Sequence, residues 1–215
     1  MMKEAKIPDA TIERISLYSR PLERILERGV AVVSSEQLAR FCRVNPAQVR
    51  KDLSYFGEFG VRGIGYNVRD LLREIKKILV SDREWRLGIV GLGNLGKALV
   101  QHENFLNRGY EFVAAFDADP AKIGFRLPGG LVIEPPSKIQ PLTRSLAIEV
   151  GLIATPPEEA EGVANLLVHA GIKAILNFAP TQLRQRKCCL VENVDFTVTL
   201  DNLAYHVNQR VKEGS

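Results

Sequence analysis

The sequence predicts an α/β protein in two parts, a helical N-terminal region followed by a doubly wound parallel sheet, and three observations predict it. Apolar residues recur at helical spacing up to about residue 80, then come from about residue 85 as short continuous runs separated by Gly and Pro. The run Leu87-Gly88-Ile89-Val90 leads into Gly91-Leu92-Gly93-Asn94-Leu95-Gly96 and then Lys97-Ala98-Leu99-Val100-Gln101, the order strand, glycine turn, helix. Within residues 34–56, two short helical patterns are separated by a three-residue turn. Ser81-Asp82-Arg83-Glu84 is the polar join, giving predicted domains at 1–80 and 81–200 and a terminal helical segment at 201–215.

In the first region, Ile12, Ile15, Leu22, Ile25, Leu26 and Val30 line a helix bent or interrupted near Pro21 and ended by Gly29. Ser34 and Gln37 form a capping-box pattern that opens a second helix through Leu38, Ala39 and Phe41. After Arg43-Val44-Asn45, Asn45 is an N-cap with Pro46 at the first helical position, and Val49, Leu53 and Phe56 form the apolar stripe of a third helix. Its other side carries Gln48, Arg50, Lys51, Ser54 and Tyr55. A short helix, a tight turn and a second helix with a basic, amide-rich face is the helix-turn-helix pattern, whose second helix fits the major groove. Arg and Lys suit guanine O6/N7, and Gln suits adenine N6/N7. The glycine-spaced stretch Gly57 to Gly65 reads as a β-hairpin wing, with Arg62-Gly63 at its tip placed for a narrow minor groove. A three-helix packing module with a charged, solvated face fits the same pattern.

In the second region, strands are predicted at 86–91, 111–117, 149–154, 173–177 and 191–198, with a shorter one near 131–133. Helices are predicted at 95–107, 157–170 and 201–211. In a doubly wound sheet, ligands sit at the carboxyl ends of the strands. Each glycine of the turn has a steric task there: Gly91 permits the tight turn, Gly93 lets the backbone approach a pyrophosphate, and Gly96 lets the helix pack on its strand. Leu92, Asn94 and Leu95 complete the turn, whose free N–H groups face an anion. Asp117 ends the next strand, where a carboxylate accepts hydrogen bonds from an adenosine ribose and repels a 2′-phosphate. This favours NAD(H), although Lys122 and Arg126 nearby keep NADP(H) open. Thr155-Pro156-Pro157, Asn177-Phe178-Ala179-Pro180 and Asp195-Phe196 follow other strands, where they either border a nicotinamide or make turns.

Catalytic equipment is missing. Hydride transfer needs a proton donor or acceptor beside the nicotinamide, yet His102, His169 and His206 all fall away from the strand ends, and no metal-ligand cluster is evident. His206 lies in what reads as an oligomerisation helix through Leu203, Val207 and Val211. A dinucleotide site joined to a DNA-reading module points to a sensor. Two other readings remain: a small NAD-dependent oxidoreductase with an N-terminal dimerisation domain, and a CoA- or nucleotide-binding scaffold resembling the small subunits of acyl-CoA synthetases.

Charge agrees with the division. Residues 1–80 hold 15 Lys and Arg against 10 Asp and Glu, whereas residues 81–215 hold 14 against 15, so the first region is the candidate for a polyanionic partner. Cys42, Cys188 and Cys189 have no metal-ligand spacing, which fits a reducing cytosol. Cys188-Cys189 reads as a redox pair or as the lead-in to a buried strand. No signal segment opens the chain and no apolar run spans a membrane, so a soluble, cytoplasmic protein without metal is predicted.

Several stretches resemble the Rex family of redox-sensing transcriptional repressors: Ser35-Glu36-Gln37-Leu38, Gln48 through Gly57, Arg62-Gly63-Ile64-Gly65-Tyr66, the glycine turn, Asn177-Phe178-Ala179-Pro180 and Glu192 through Phe196. The resemblance covers nearly the whole chain, and the Gln48–Gly57 stretch is its most specific part. It implies a homodimer of winged-helix and Rossmann domains whose C-terminal helix is exchanged between subunits. It also implies the activity: operator DNA is bound when NADH is scarce and released by NADH, which derepresses genes for NADH reoxidation and fermentation. By position, Lys51 and its helix neighbours would read bases, Arg62-Gly63 would reach the minor groove, and Phe196 would lie at the nicotinamide. Asp195 and Arg20 match a pair that connects the nicotinamide site of one subunit to a DNA-binding domain. One departure is His102, where family members often have a tyrosine.

Overall fold

The computed structural model describes residues 7–61, 63–79 and 83–213. The chain divides into two compact units, residues 1–83 and 84–215.

The first unit begins with α1 (Asp9–Glu27), which turns Ile15, Tyr18, Leu22 and Ile25 into the core and leaves Ile12 exposed. The expected interruption at Pro21 does not occur, because α1 runs through it. Pro21 has no N–H for the carbonyl of Leu17 one turn back, and the Cys42 thiol donates to that oxygen instead, at 3.8 Å. The helix ends at Glu27, with Gly29 at φ 73°, and Val30 lies beyond it, exposed. A two-residue strand β1 (Val32–Val33) leads to α2 (Ser35–Cys42), which opens with the capping box: Ser34 Oγ accepts from Gln37 N–H at 3.2 Å, and Gln37 Oε1 accepts from Ser34 N–H at 2.9 Å. Arg43 caps the end of α2 in the left-handed region. Asn45 Oδ1 then accepts from Ala47 N–H at 2.8 Å, starting α3 (Pro46–Ser54).

The wing differs from expectation. Strand pairing joins β1 to β2 (Tyr66–Asn67), antiparallel with Val33 opposite Tyr66, while among the described residues of 57–65 the pairing is an isolated bridge between Val61 and Gly65. A ladder cannot run through this loop because Gly57, Gly60, Gly63 and Gly65 all sit at positive φ. Gly65 is also held so close to β1 that a Cβ there would lie 2.5 Å from the Val33 carbonyl oxygen. A fourth helix, α4 (Val68–Ile78), carries no start signal recognised above. It is capped by Asn67 and buries Val68, Leu71, Leu72 and Ile75 in the same core.

The second unit is a six-stranded parallel sheet of order β5-β4-β3-β6-β7-β8. The strands are β3 (Trp85–Val90), β4 (Tyr110–Phe116), β5 (Ile133–Glu134), β6 (Val150–Ile153), β7 (Ala174–Asn177) and β8 (Leu190–Asn193). Burial on both faces explains their unbroken apolar runs. Leu87, Ile89, Ala115 and Leu152 serve one face, and Val90, Phe116, Ile153 and Ile175 serve the other. Helix α7 (Pro157–Ala170) covers the second face, joined by α6 (Ile139–Ser145), which no sequence signal marked.

Two further boundaries move. Helix α5 (Asn94–Val100) stops well short of the expected residue 107; a turn and a 3-10 segment (Leu106–Arg108) follow. The turn brings the Phe105 ring edge-on to Phe112, 5.2 Å between centroids, and His102 and Asn104, the weaker helix formers of this stretch, yield to that packing. The last strand ends at Asn193 rather than 198, and α8 (Phe196–Glu213) begins before residue 201. Asp195 sets that start, since its Oδ1 accepts from Thr197 N–H at 2.9 Å and from Thr197 Oγ at 2.6 Å.

Candidate dinucleotide and nucleic-acid sites

The strand order reverses around β3, with β4 on one side and β6 on the other, so a crevice opens at their carboxyl ends. The glycine turn lies there. Gly91, at φ 97°, passes so close to β6 that a Cβ would sit 2.6 Å from the Ala154 carbonyl oxygen, and a Cβ on Gly96 would collide with the carbonyl of Gly91. Around Gly93 there is open space: no heavy atom lies within 4 Å of the Cβ position, the clearance a pyrophosphate needs. Asn94 and Leu95 begin α5 beside it.

Asp117 grips this turn from β4. Its Oδ2 accepts from Leu92 N–H at 2.7 Å and from Lys122 Nζ at 3.0 Å, and its Oδ1 accepts from Asp119 N–H at 2.9 Å. Burial alone would raise its pKa. The Asp119 and Leu92 N–H groups and the Lys122 ammonium outweigh that and lower it, so the carboxylate stays ionised. Lys122 and Arg126, the groups that left a 2′-phosphate open, are both engaged elsewhere. Lys122 pairs with Asp117 and, at 3.8 Å, with Asp119, while Arg126 donates to the Gly130 carbonyl at 2.8 Å.

The other strand ends separate into two kinds. The Thr155 hydroxyl, beside Gly91 and ahead of exposed Pro156, is buried without a hydrogen-bond partner, as a group awaiting a ligand would be. The Phe178 and Phe196 rings stack with centroids 6.4 Å apart. Asn177, by contrast, is fully buried and spends its amide on the chain: Nδ2 donates to Thr181 O at 2.7 Å and Asn193 Oδ1 at 2.9 Å, and Oδ1 accepts from Ala179 N–H at 3.0 Å. Asn177 and buried Ala179 thus shape the loop that carries Phe178. Glycine clearance, an orphaned hydroxyl, an ionised carboxylate and an aromatic pair together fit a dinucleotide.

The histidines stay away from this crevice. His102 is exposed in the turn after α5, its Nδ1 accepting from Asn104 N–H at 3.3 Å; His169 bonds Asn165 O on α7; His206 lies on α8. Cys189 is buried in the core ahead of β8 while Cys188 is exposed, and burial raises the Cys189 thiol pKa. Among the described residues, no group of three or more His, Cys, Asp or Glu could hold a metal ion, and no helix is long and apolar enough to cross a membrane.

In the first unit, α3 presents two exposed stripes. Lys51 and Tyr55 form one, with half-buried Gln48 at its edge. Arg50 and Ser54 form the other, and they line a cleft of about 630 Å³ together with Ser35 and Gly63. Ser35, expected to contact DNA, is nearly buried and accepts from Arg50 at 2.8 Å. Arg62 lies outside the described residues. Arg20 lines a separate groove on α1 with Arg24, Arg28 and Arg43.

The residue that sequence reasoning missed is Asp52. It sits on the apolar stripe of α3 with a fully buried side chain. Arg14 binds it through Nε at 2.6 Å and Nη2 at 2.7 Å, Tyr18 donates at 2.7 Å and Gln48 at 2.8 Å. Burial would raise the Asp52 pKa, but these donors prevail and lower it; burial and the Asp52 bond raise that of Tyr18. A carboxylate between Val49 and Leu53, on the face that packs, was the available signal.

Known proteins share this arrangement. A family model described as "Putative DNA-binding protein N-terminus" matches residues 6–54, and one described as "CoA binding domain" matches residues 82–181. A redox-sensing transcriptional repressor Rex of Syntrophobacter fumaroxidans is 58% identical, over 96% of this chain and 99% of its own length. The crystal structure of RSP in complex with β-NAD⁺ and operator DNA superposes with a TM-score of 0.91 at 32% identity, over 98% of this chain and 96% of that one. RSP in complex with β-NADH gives 0.87 at 30% identity, over 98% of both chains. On these likenesses, which run the length of both units, the chain belongs to the Rex family of redox-sensing transcriptional repressors.

Proposed function

We propose that this chain represses transcription in response to the NADH/NAD⁺ ratio: residues 1–83 hold operator DNA while NADH is scarce, and NADH at the glycine turn releases it. One observation carries this reading. A helix-turn-helix with a basic outer helix and a glycine turn with dinucleotide clearance occur in one chain, in the order found in RSP, whose structures hold operator DNA, β-NAD⁺ and β-NADH. Like the repressors it resembles, the chain is a regulator and not an enzyme.

Asp117 would accept from the adenosine ribose through the lone pair left on Oδ1, and Thr155 would donate its free hydroxyl. NADH brings a neutral nicotinamide where NAD⁺ brings a cation, and a surface of Phe178 and Phe196 avoids burying that charge. DNA contacts fall to Gln48, Lys51 and Tyr55 on one stripe, with Arg50, Ser54, Arg62 and Gly63 toward the wing loop. A second copy of the chain is the partner for α8, whose Phe196, Val198, Leu200, Leu203, Tyr205 and Val207 are 58–61% exposed. The homodimer matches two-fold operators, and the cytoplasm is its place. Arg20 and Asp195 are the pair that the family resemblance assigns to the switch, and Asp195 also caps α8 through Thr197; His102 stands where family members often have a tyrosine.

The test is fluorescence anisotropy with an operator duplex at fixed salt. Release by NADH and not by NAD⁺ supports the reading; equal effects, or none, overturn it. Because the "CoA binding domain" model matches the second unit, CoA is the competitor to include. Displacement of NADH by micromolar CoA would favour the scaffold reading. In Asp195→Ala, NADH should still bind but release DNA less, and unchanged release would remove Asp195 from the switch.

A further inference from the structure

Gln48 stands at the edge of the stripe on α3 that carries Lys51 and Tyr55, and its amide is not free to turn. Its Nε2 donates to Asp52 Oδ1 at 2.8 Å. Asp52 is held from behind by both Arg14 nitrogens and by the Tyr18 hydroxyl, and its side chain is fully buried. An ionised carboxylate only accepts hydrogen bonds. Turning the Gln48 amide over would set Oε1 against Asp52 Oδ1, two acceptors in contact with no proton between them. The buried charge therefore selects one of the two amide orientations, leaving Oε1 and the second N–H of Nε2 for a ligand in a fixed left-to-right order.

In the major groove, that acceptor-donor pair matches adenine, which offers the N6 amino group beside the N7 acceptor; guanine offers two acceptors. Reversing the base pair from A·T to T·A reverses the order of the two groups across the groove, which an amide locked one way cannot follow. On the reading that this chain binds operator DNA, we infer that Asp52 is a positioning residue for specificity, locking Gln48 to read one adenine and to reject the inverted T·A pair. The lock comes from α1, which supplies Arg14 and Tyr18, and neither residue touches DNA for the lock to work.

The probe is an operator selected from a randomised palindromic duplex pool by the full-length protein. Each adenine in a half-site is replaced in turn by 7-deazaadenine, which lacks the N7 acceptor, or inverted to T·A, and competition is followed by anisotropy at one salt concentration. The expected result is one position where either change costs about tenfold in affinity. That penalty disappears in Gln48→Ala. In Asp52→Asn, whose side-chain amide accepts either orientation of Gln48, the ratio of A·T to T·A falls toward one. The ratio is the readout, because a merely structural loss weakens both duplexes alike.

If Asp52→Asn fails to fold because Arg14 loses its buried partner, Arg14→Met with Asp52→Asn removes both charges and should give the same collapsed ratio. A folded variant of either kind that keeps the tenfold ratio overturns the role of Asp52. A selected operator with no position sensitive to Gln48→Ala overturns the adenine contact and leaves the repressor reading standing. A pool that yields no preferred sequence overturns both.

Discussion

Each unit of the molecule positions its working surface with one buried aspartate, and the two do it differently. Asp117 grips backbone: the N–H of Leu92 inside the glycine turn and that of Asp119 two residues on. Asp52 grips side chains, three of them from another helix. The glycine turn is thus shaped by what its glycines lack plus a local carboxylate, while α3 is held by a charge network closed only in three dimensions. Removing either aspartate should reveal the difference, because backbone donors are held by the sheet whatever their acceptor, whereas a guanidinium without its carboxylate is stranded.

The largest effect is expected from Asp52→Ala. It strips the buried Tyr18 hydroxyl of its acceptor, leaves Arg14 unpaired and opens a cavity, and should cost about 3–4 kcal/mol in the first unit. Chemical denaturation followed with and without NADH checks this: DNA binding should be lost while NADH affinity is retained. Next comes Gly96→Ala, which drives a methyl group into the Gly91 carbonyl, where only backbone can yield. A loss of about 3 kcal/mol in stability, with NADH binding abolished in calorimetry, is expected. Wild-type affinity in this variant would mean that α5 does not pack on its strand as described.

Asp117→Asn is smaller. The amide still accepts one bond but loses the Lys122 pair, so about 1–2 kcal/mol of NADH affinity should go, and Lys122 is freed toward a 2′-phosphate. Gain of NADPH binding would sharpen the contrast between the units. The smallest effect is in pH. Both aspartates have folded-state pKa values lowered below their ordinary ones. The unfolded chain therefore binds more protons on acidification, and their stabilisation, complete above the ordinary carboxylate range, is lost as pH falls through the folded values. Melting temperature should hold from neutrality to about pH 5 and drop below about pH 4, less steeply in Asp117→Asn.

The same contrast explains what the sequence revealed. The glycine turn, the capping box at Ser34, the Asn45-Pro46 start of α3 and the parallel strands were legible because each is set by residues within a few positions of one another. Asp52 belongs to a set that spans Thr11 to Asp52, and nothing in the spacing of that set announces it. Pro21 misled because the Leu17 carbonyl that it strands finds a thiol from α2, and the residues 101–108 misled because Phe105 prefers the sheet to a longer helix. Asn177 was legible as a strand end with two possible tasks, and the bonds of its amide to Asn193 and Ala179, sixteen and two residues away, were not.

The central claim is that one chain couples NADH to DNA, and coupling between binding sites is reciprocal. Calorimetric titration of NADH into the free protein and into the protein saturated with operator duplex tests it most directly. The account predicts weaker NADH binding in the DNA complex, by the same factor with which NADH weakens DNA binding. Equal NADH affinity in the two titrations would contradict it.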